Sequence, residues 1–196
     1  MTASHRRSLL VSIAALCGIL AVPRTGVAQR AVLVGFGGGQ SFPTGEFGTD
    51  TKPGMNIGGF LQYRAPDKLV GLRGELSWHR NDMKEAALAE VGADPSTTGY
   101  WGTLYLGLSG VLERMPRDGA MGWYLLAGGG VYQIKPTISQ AGIETSVSET
   151  KPGFNAGAGL RFRIGGGSLY VEARYHGLKV DETNYTFLPF TAGIAF

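Results

Sequence analysis

The chain has 196 residues, 43% hydrophobic and 17% charged, with 32 glycines, a single cysteine and a formal charge of +3. No uncharged run beyond the N-terminal segment approaches the ~18 residues of a helical membrane span, which excludes a helical membrane protein. One cysteine excludes a disulfide framework or a thiolate metal site, and the glycine content with short alternating segments points to one all-β domain.

Residues 1–28 read as a cleaved signal peptide: Arg6 and Arg7 precede an uncharged stretch from Leu9 to Val22, and Gly26-Val27-Ala28 supplies small residues for cleavage. Cys17 lies inside that stretch behind the large Leu16, which argues against a lipid anchor. Removing the segment takes away Arg6, Arg7 and Arg24 and no acid, so the mature chain from Gln29 is formally neutral. The basic balance of the precursor therefore gives no reason to expect a nucleic-acid partner.

Residues 31–40 are apolar and glycine-rich, and a polar loop is expected over 41–54. Residues 55–64 alternate, with Ile57, Leu61 and Tyr63 on one face and Asn56, Phe60 and Gln62 on the other. After a turn at 65–68, residues 69–79 set Val70, Leu72, Leu76 and Trp78 against Arg73, Glu75, Ser77 and His79. Residues 80–98 form the longest loop, where Asp82 followed by Glu85 predicts a short helix ending at Gly92. Residues 99–112 put Leu104, Leu106, Leu108 and Leu112 opposite Thr103, Tyr105, Gly107 and Ser109.

A turn at 115–119 leads into a strand over 122–135 whose facing the sequence leaves open: Trp123-Leu125-Ala127-Val131 and Tyr124-Leu126-Tyr132 are both plausible outward sets. A Ser/Thr-rich loop is expected over 136–150. Residues 151–164 place Phe154, Ala156, Ala158, Leu160, Phe162 and Ile164 against Asn155, Arg161 and Arg163. Residues 168–178 place Leu169, Val171, Ala173 and Tyr175 against Tyr170, Glu172, Arg174 and His176. Beyond a loop at 179–185, the last stretch counts back by twos from Phe196 through Ile194, Ala192, Phe190 and Leu188. A strand about ten residues long with one apolar face can cross a bilayer when tilted, but only inside a closed barrel that pairs its backbone groups.

The expectation is an all-β, eight-stranded antiparallel up-and-down transmembrane β-barrel over residues 29–196, long loops alternating with short turns. An internal repeat supports it. Thr51-Lys52-Pro53-Gly54-Met55-Asn56-Ile57-Gly58 recurs as Thr150-Lys151-Pro152-Gly153-Phe154-Asn155-Ala156-Gly157, and Leu72–His79 echoes Leu169–His176.

With Gly35-Phe36-Gly37-Gly38 running into Phe42-Pro43-Thr44-Gly45, the two Lys-Pro-Gly segments and the terminal Phe196, the chain resembles the small outer-membrane barrels of the opacity type and the outer-membrane-protein-A type. The resemblance implies an outer-membrane location, lipid as the surrounding partner, a monomer, and a terminal aromatic read by the barrel-assembly machinery, with Phe196 as the assembly signal. It implies architecture more than activity.

Arg73, Glu75, Arg161, Arg163, Glu172 and Arg174 fall on inward faces, where charge is tolerated if it finds partners. The expectation is a structural ion-pair network filling a narrow barrel, and the rival is an anion-selecting constriction in a small pore. His79 and His176 occupy equivalent repeat positions and are read as interfacial. A barrel deacylase acting on lipid would pair histidine with serine, but Gly177-Leu178 follows His176, so no catalytic residue is assigned. The glycine clusters at 35–39 and 128–130 complete no dinucleotide spacing, and no cofactor or metal site is expected. Trp78, Tyr100, Trp101, Trp123, Tyr175 and Tyr185 are read as an aromatic girdle. The loops carry acids: Glu46, Asp50, Asp82, Glu85, Glu90, Asp94, Glu144, Glu149, Asp181 and Glu182. The expected role is structural or surface interaction. A soluble lipocalin-like binder would need the reverse polarity, apolar inside and polar outside.

Overall fold

The computed structural model describes residues 31–196 apart from 66–67, 91, 117–118 and 181–182, so the expected signal peptide, Asp181 and Glu182 lie outside the described residues. Nine strands follow in order: β1 (Val32–Thr44), β2 (Gly54–Arg64), β3 (Val70–Asp82), β4 (Thr98–Arg114), β5 (Met121–Gln140), β6 (Ile143–Ser146), β7 (Glu149–Ile164), β8 (Gly167–Val180) and β9 (Thr183–Ala195). Two one-and-a-half-turn helices, α1 (Gly45–Asp50) and α2 (Glu85–Glu90), sit in the connections after β1 and β3.

Neighbouring strands pair antiparallel in the order β4-β3-β2-β1-β9-β8-β7-β5, and β4 pairs with β5 to close the ring. The barrel has eight strands. β6 is an addition that pairs with residues 137–140 of β5 above the end of β7. The seam between first and last strands runs from Thr44↔Thr186 to Gly35↔Ala195 and is extended by reciprocal backbone bonds between Val34 and Phe196, 2.9 and 3.1 Å. With every ladder paired to a neighbour, the wall meets the requirement that lipid imposes on backbone groups.

Alternation sets the two surfaces. Ile57, Leu61, Leu72, Leu76, Leu104, Leu106, Leu108, Phe154 and Val171 are exposed on the outside, and Asn56, Gln62, Arg73, His79, Tyr105, Asn155 and Arg174 are buried inside. β5 takes the arrangement with Trp123, Leu125 and Val131 outside and Tyr124, Leu126 and Tyr132 inside. Its inward rings are received by glycine: a Cβ at Gly159 would overlap the Tyr124 ring, as one at Gly35 would overlap Phe60. A small barrel accommodates large inward side chains where facing positions carry none.

Three loops are shorter than the sequence suggests. β1 continues to Thr44 and hands over to α1 instead of a polar loop. β5 runs to Gln140 and turns into β6, replacing most of the expected 136–150 loop. β8 and β9 stay paired up to Val180↔Thr183. β4 has 17 residues and β5 has 20, whereas a tilted membrane-crossing strand needs only ~9 to 11. The surplus stands clear of the apolar belt at the loop end. The expected helix in the 80–98 loop is α2, tied down by the isolated Thr51↔Met83 bridge and the Lys84 N–H bond to Asp50 O, 2.8 Å.

Candidate functional site

The interior is the place to look for a function, because it collects the buried charge. At the turn end Glu113, on β4, accepts from Arg161 of β7 and from Gln62 Nε2 of β2 at 2.7 Å, with Arg64 Nη1 at 3.7 Å. The other end of the Gln62 amide, Oε1, accepts from Arg73 Nε and Nη2 at 3.1 and 2.8 Å. Arg73 then donates through Nη1 to Glu172 Oε2 at 2.6 Å. Glu172 Oε1 accepts from Arg174 Nη2 at 2.6 Å, and the same nitrogen lies 2.7 Å from Glu75 Oε2. Four guanidinium groups and three carboxylates thus make one continuous network across five strands. Arg73 also lies 4.0 Å above the Phe60 ring and 4.9 Å from that of Tyr124, so its faces are covered as well as its edges.

The repeat explains the network's layout. In an eight-stranded ring β3 and β8 are four strands apart, so equivalent positions of the two halves face each other across the lumen. Glu75 faces Glu172, and His79 faces His176. Two carboxylates meeting at close range would repel. Arg174, standing where the first half has Ser77, is the cation that joins them.

Above this layer Asn155 receives the Ser109 hydroxyl at 3.1 Å and donates to the Tyr105 hydroxyl at 2.7 Å. Asn56 donates to the Gln40 carbonyl at 2.9 Å and accepts from Thr191 at 2.9 Å. The two asparagines of the Lys-Pro-Gly repeats are therefore interior hydrogen-bonding posts. A small cavity of about 30 Å³ is bordered by Asn56, Glu75, Ser77, Arg174 and both histidines. It has room for about one water molecule.

His79 and His176 are not interfacial. Both rings are buried in the lumen, 5.6 Å apart, and His176 stacks on Phe187 at 4.8 Å while its Nδ1 is 2.9 Å from the Tyr132 hydroxyl. His79 Nε2 lies 3.1 Å from Ser77 Oγ, a histidine–serine contact, but both residues are buried in the closed interior and away from the lipid-facing wall. Among the described residues no group of three His, Cys, Asp or Glu side chains is placed to hold a metal ion.

The loop end is stoppered. Phe47 of α1 drops into the barrel mouth against Tyr185, with ring centroids 3.7 Å apart, and against Trp101 at 5.8 Å. Tyr185 shares a hydrogen bond of 2.9 Å with Thr103, and Ile134, Leu178 and Phe187 complete an apolar layer beneath. Tyr185 and Trp101 consequently belong to this plug and not to the girdle. Tyr100 lies under the Arg80 guanidinium at 4.0 Å. Trp78, Trp123 and Tyr175 remain on the outer surface, as a girdle requires.

Of the six expected network residues, Arg73, Glu75, Arg161, Glu172 and Arg174 are brought together. Arg163 is exposed at the turn end of β7, next to the Ile164↔Gly167 close of the β7–β8 ladder. Glu113, Gln62 and Arg64 were missed as network members. Continuing the inward count Thr103, Tyr105, Ser109 by twos reaches Glu113, one residue past the end assigned to that strand, so the signal was present.

The acids of the loop end are partly neutralised locally. Lys52 pairs with Glu85 at 3.3 Å, Arg80 with Asp82 at 3.4 Å, and Lys151 with Glu149 at 2.5 Å. Asp94 accepts from the Ser96 N–H at 2.9 Å and its hydroxyl at 2.7 Å, contacts that hold this carboxyl below the usual carboxylate range.

A closed antiparallel barrel with an apolar outer belt and a charged, packed interior defines the class of small outer-membrane barrels. The chain belongs to the outer membrane protein beta-barrel domain family, whose model matches residues 12–196. The loop end is accordingly the outer end and the turn end the periplasmic one. A comparison with curated protein sequences gives no match. Among solved structures the chain is similar to Neisserial surface protein A, NspA, with 17% identity, 84% of this chain and 96% of that one covered, and a TM-score of 0.57. It is also similar to a major outer membrane protein of Thermus thermophilus, with 11% identity, 85% and 99% covered, and a TM-score of 0.54. Ail, the attachment invasion locus protein of Yersinia pestis, shares 20% identity, with 84% and 97% covered and a TM-score of 0.50. At these identities the likeness is one of fold.

Proposed function

We propose that the protein is a non-conducting outer-membrane barrel, a structural and surface-interaction element whose working surface is its outer end. The observation that carries this reading is the filling of the lumen from end to end. The Arg/Glu/Gln network occupies the periplasmic half, the histidine and tyrosine layer follows, and Phe47 with Tyr185 and Trp101 stops the mouth. Arginine paired at 2.6 to 2.8 Å to carboxylate and amide partners has given up the freedom that an ion-selecting ring needs. What faces outward beyond the membrane is α1, α2 and the β5–β6 extension, rich in acids and hydroxyls. The test is a liposome-swelling assay with the mature barrel and sugars of graded size. Swelling no faster than protein-free vesicles is expected; uptake of the smallest sugars at a porin-like rate would overturn the reading.

A further inference from the structure

On the outer wall, near the loop end, Gly177 is buried beneath the Phe154 ring, which a Cβ there would meet. It lies between Phe154 of β7 and Thr186 of β9, its cross-strand neighbours. Tyr175 stands below it, Lys179 above, and Glu46 of α1 overhangs it beside Asn184, enclosing a groove of about 580 Å³. The strand residues among them are on the outward-facing register, so the groove opens sideways from the barrel.

The polarity of the groove is graded. Its lower part is the Phe154 and Tyr175 pair, ring centroids 6.1 Å apart and both substantially exposed, continuous with the lipid-facing belt. Its upper part carries an exposed lysine, a carboxylate and an amide. The Glu46 carboxylate accepts the Asn184 N–H at 3.0 Å, which holds α1 over the groove. A residue facing sideways at this height is covered by the outer leaflet, and a graded groove fits an amphiphile with its chain down and its head up. Lysine suits phosphate. Glu46 repels phosphate but accepts hydroxyl groups, so the two ends of the upper part ask for a headgroup bearing both.

We propose that the groove around Gly177 is a binding site for a phosphorylated glycolipid of the outer leaflet, with Lys179 holding the phosphate, Glu46 and Asn184 the sugar hydroxyls, and Phe154 and Tyr175 an acyl chain. The site lies on the outer wall and is independent of whether the lumen conducts.

The experiment uses the mature barrel in phosphatidylcholine nanodiscs, titrated with lipid A, with dephosphorylated lipid A and with inorganic phosphate, binding being read by native mass spectrometry. Wild type should take up lipid A in preference to the dephosphorylated form. Lys179→Gln should weaken lipid A binding about fivefold, the worth of one lysine beside anionic headgroups. Arg80→Gln, an outward cation on the opposite wall, should leave it unchanged. Tyr175→Ala should weaken both lipid forms alike. Lys179→Gln binding equal to wild type would overturn the proposal, as would an equal loss in Arg80→Gln, which would mean diffuse attraction by the rim. Competition by inorganic phosphate at micromolar concentration would identify a phosphate site and refute the lipid one.

Discussion

Removing the charge of Glu172 tests the interior network at its most connected point. Glu172 is the only carboxylate in the network joined to both Arg73 and Arg174, each at 2.6 Å, and its side chain is 8% exposed. In Glu172→Gln the shape is kept, but Arg73 retains only Gln62 and the π faces of Phe60 and Tyr124, and Arg174 retains only Glu75. Breaking a buried pair by removing one partner costs about 3 to 5 kcal/mol, because the other charge stays buried. Glu75→Gln should cost less, since Arg174 keeps Glu172 and Glu75 is the more accessible acid at 14%. Adding Arg73→Met to Glu172→Gln removes one surplus cation and should restore part of the loss, with a coupling of about 1 to 3 kcal/mol expected for contacting residues. The assay is reversible urea unfolding of the refolded barrel in phospholipid vesicles. A Glu172→Gln barrel within about 1 kcal/mol of wild type, well short of the loss worked out above, would refute the view that these charges are held in a buried, mutually dependent network.

Leu106 is 57% exposed on the lipid face, so Leu106→Arg should cost roughly 2 to 4 kcal/mol near mid-membrane, and Leu106→Phe nearly nothing; vesicle unfolding separates them. Thr103→Arg on the neighbouring inward position should also be damaging, because Thr103 is buried under the plug and bonded to Tyr185, so overpacking replaces lipid exposure as the cause. Phe47→Ala removes the stopper and should lower unfolding stability by the loss of a buried ring, about 3 to 5 kcal/mol, without changing membrane insertion. Phe196 is 46% exposed, so Phe196→Ala should cost only about 0.8 to 1.5 kcal/mol in refolded barrels, half of a full burial. The same variant should reach the outer membrane in cells at greatly reduced levels if the terminal aromatic is the assembly signal; normal levels would remove that role.

The wall was legible because a barrel in lipid writes a strict period-two code: Leu104, Leu106 and Leu108 have no reading other than outward once Thr103, Tyr105 and Ser109 are opposite. β5 escaped this logic, since the aromatic and aliphatic set Tyr124, Leu126 and Tyr132 suits a membrane-facing wall as Trp123 and Leu125 do, and the glycines facing the inward rings, Gly159 and Gly153, are what make room for them. The same alternation put His79 with Arg73 and Glu75, on the inside; reading it as interfacial overrode the period with a preference of the residue type. The plug was invisible for a different reason. Phe47 and Tyr185 are 138 positions apart and lie in segments that look like loop, so nothing local signals that α1 folds over the mouth. Glu113 was lost to a strand end placed at Leu112, two residues short of Arg114, boundaries being the least secure part of a sequence-based assignment.

The central claim is that the lumen is closed, and planar-bilayer recording of the purified wild-type barrel tests it most directly. Inserted protein, verified by antibody or fluorescent label in the same membrane, should give no steps above the bare bilayer across physiological salt and voltage, while Phe47→Ala should remain silent because the Arg73–Glu172–Arg174 layer still blocks the path. Steady, anion-selective channels from the wild-type barrel would contradict the account.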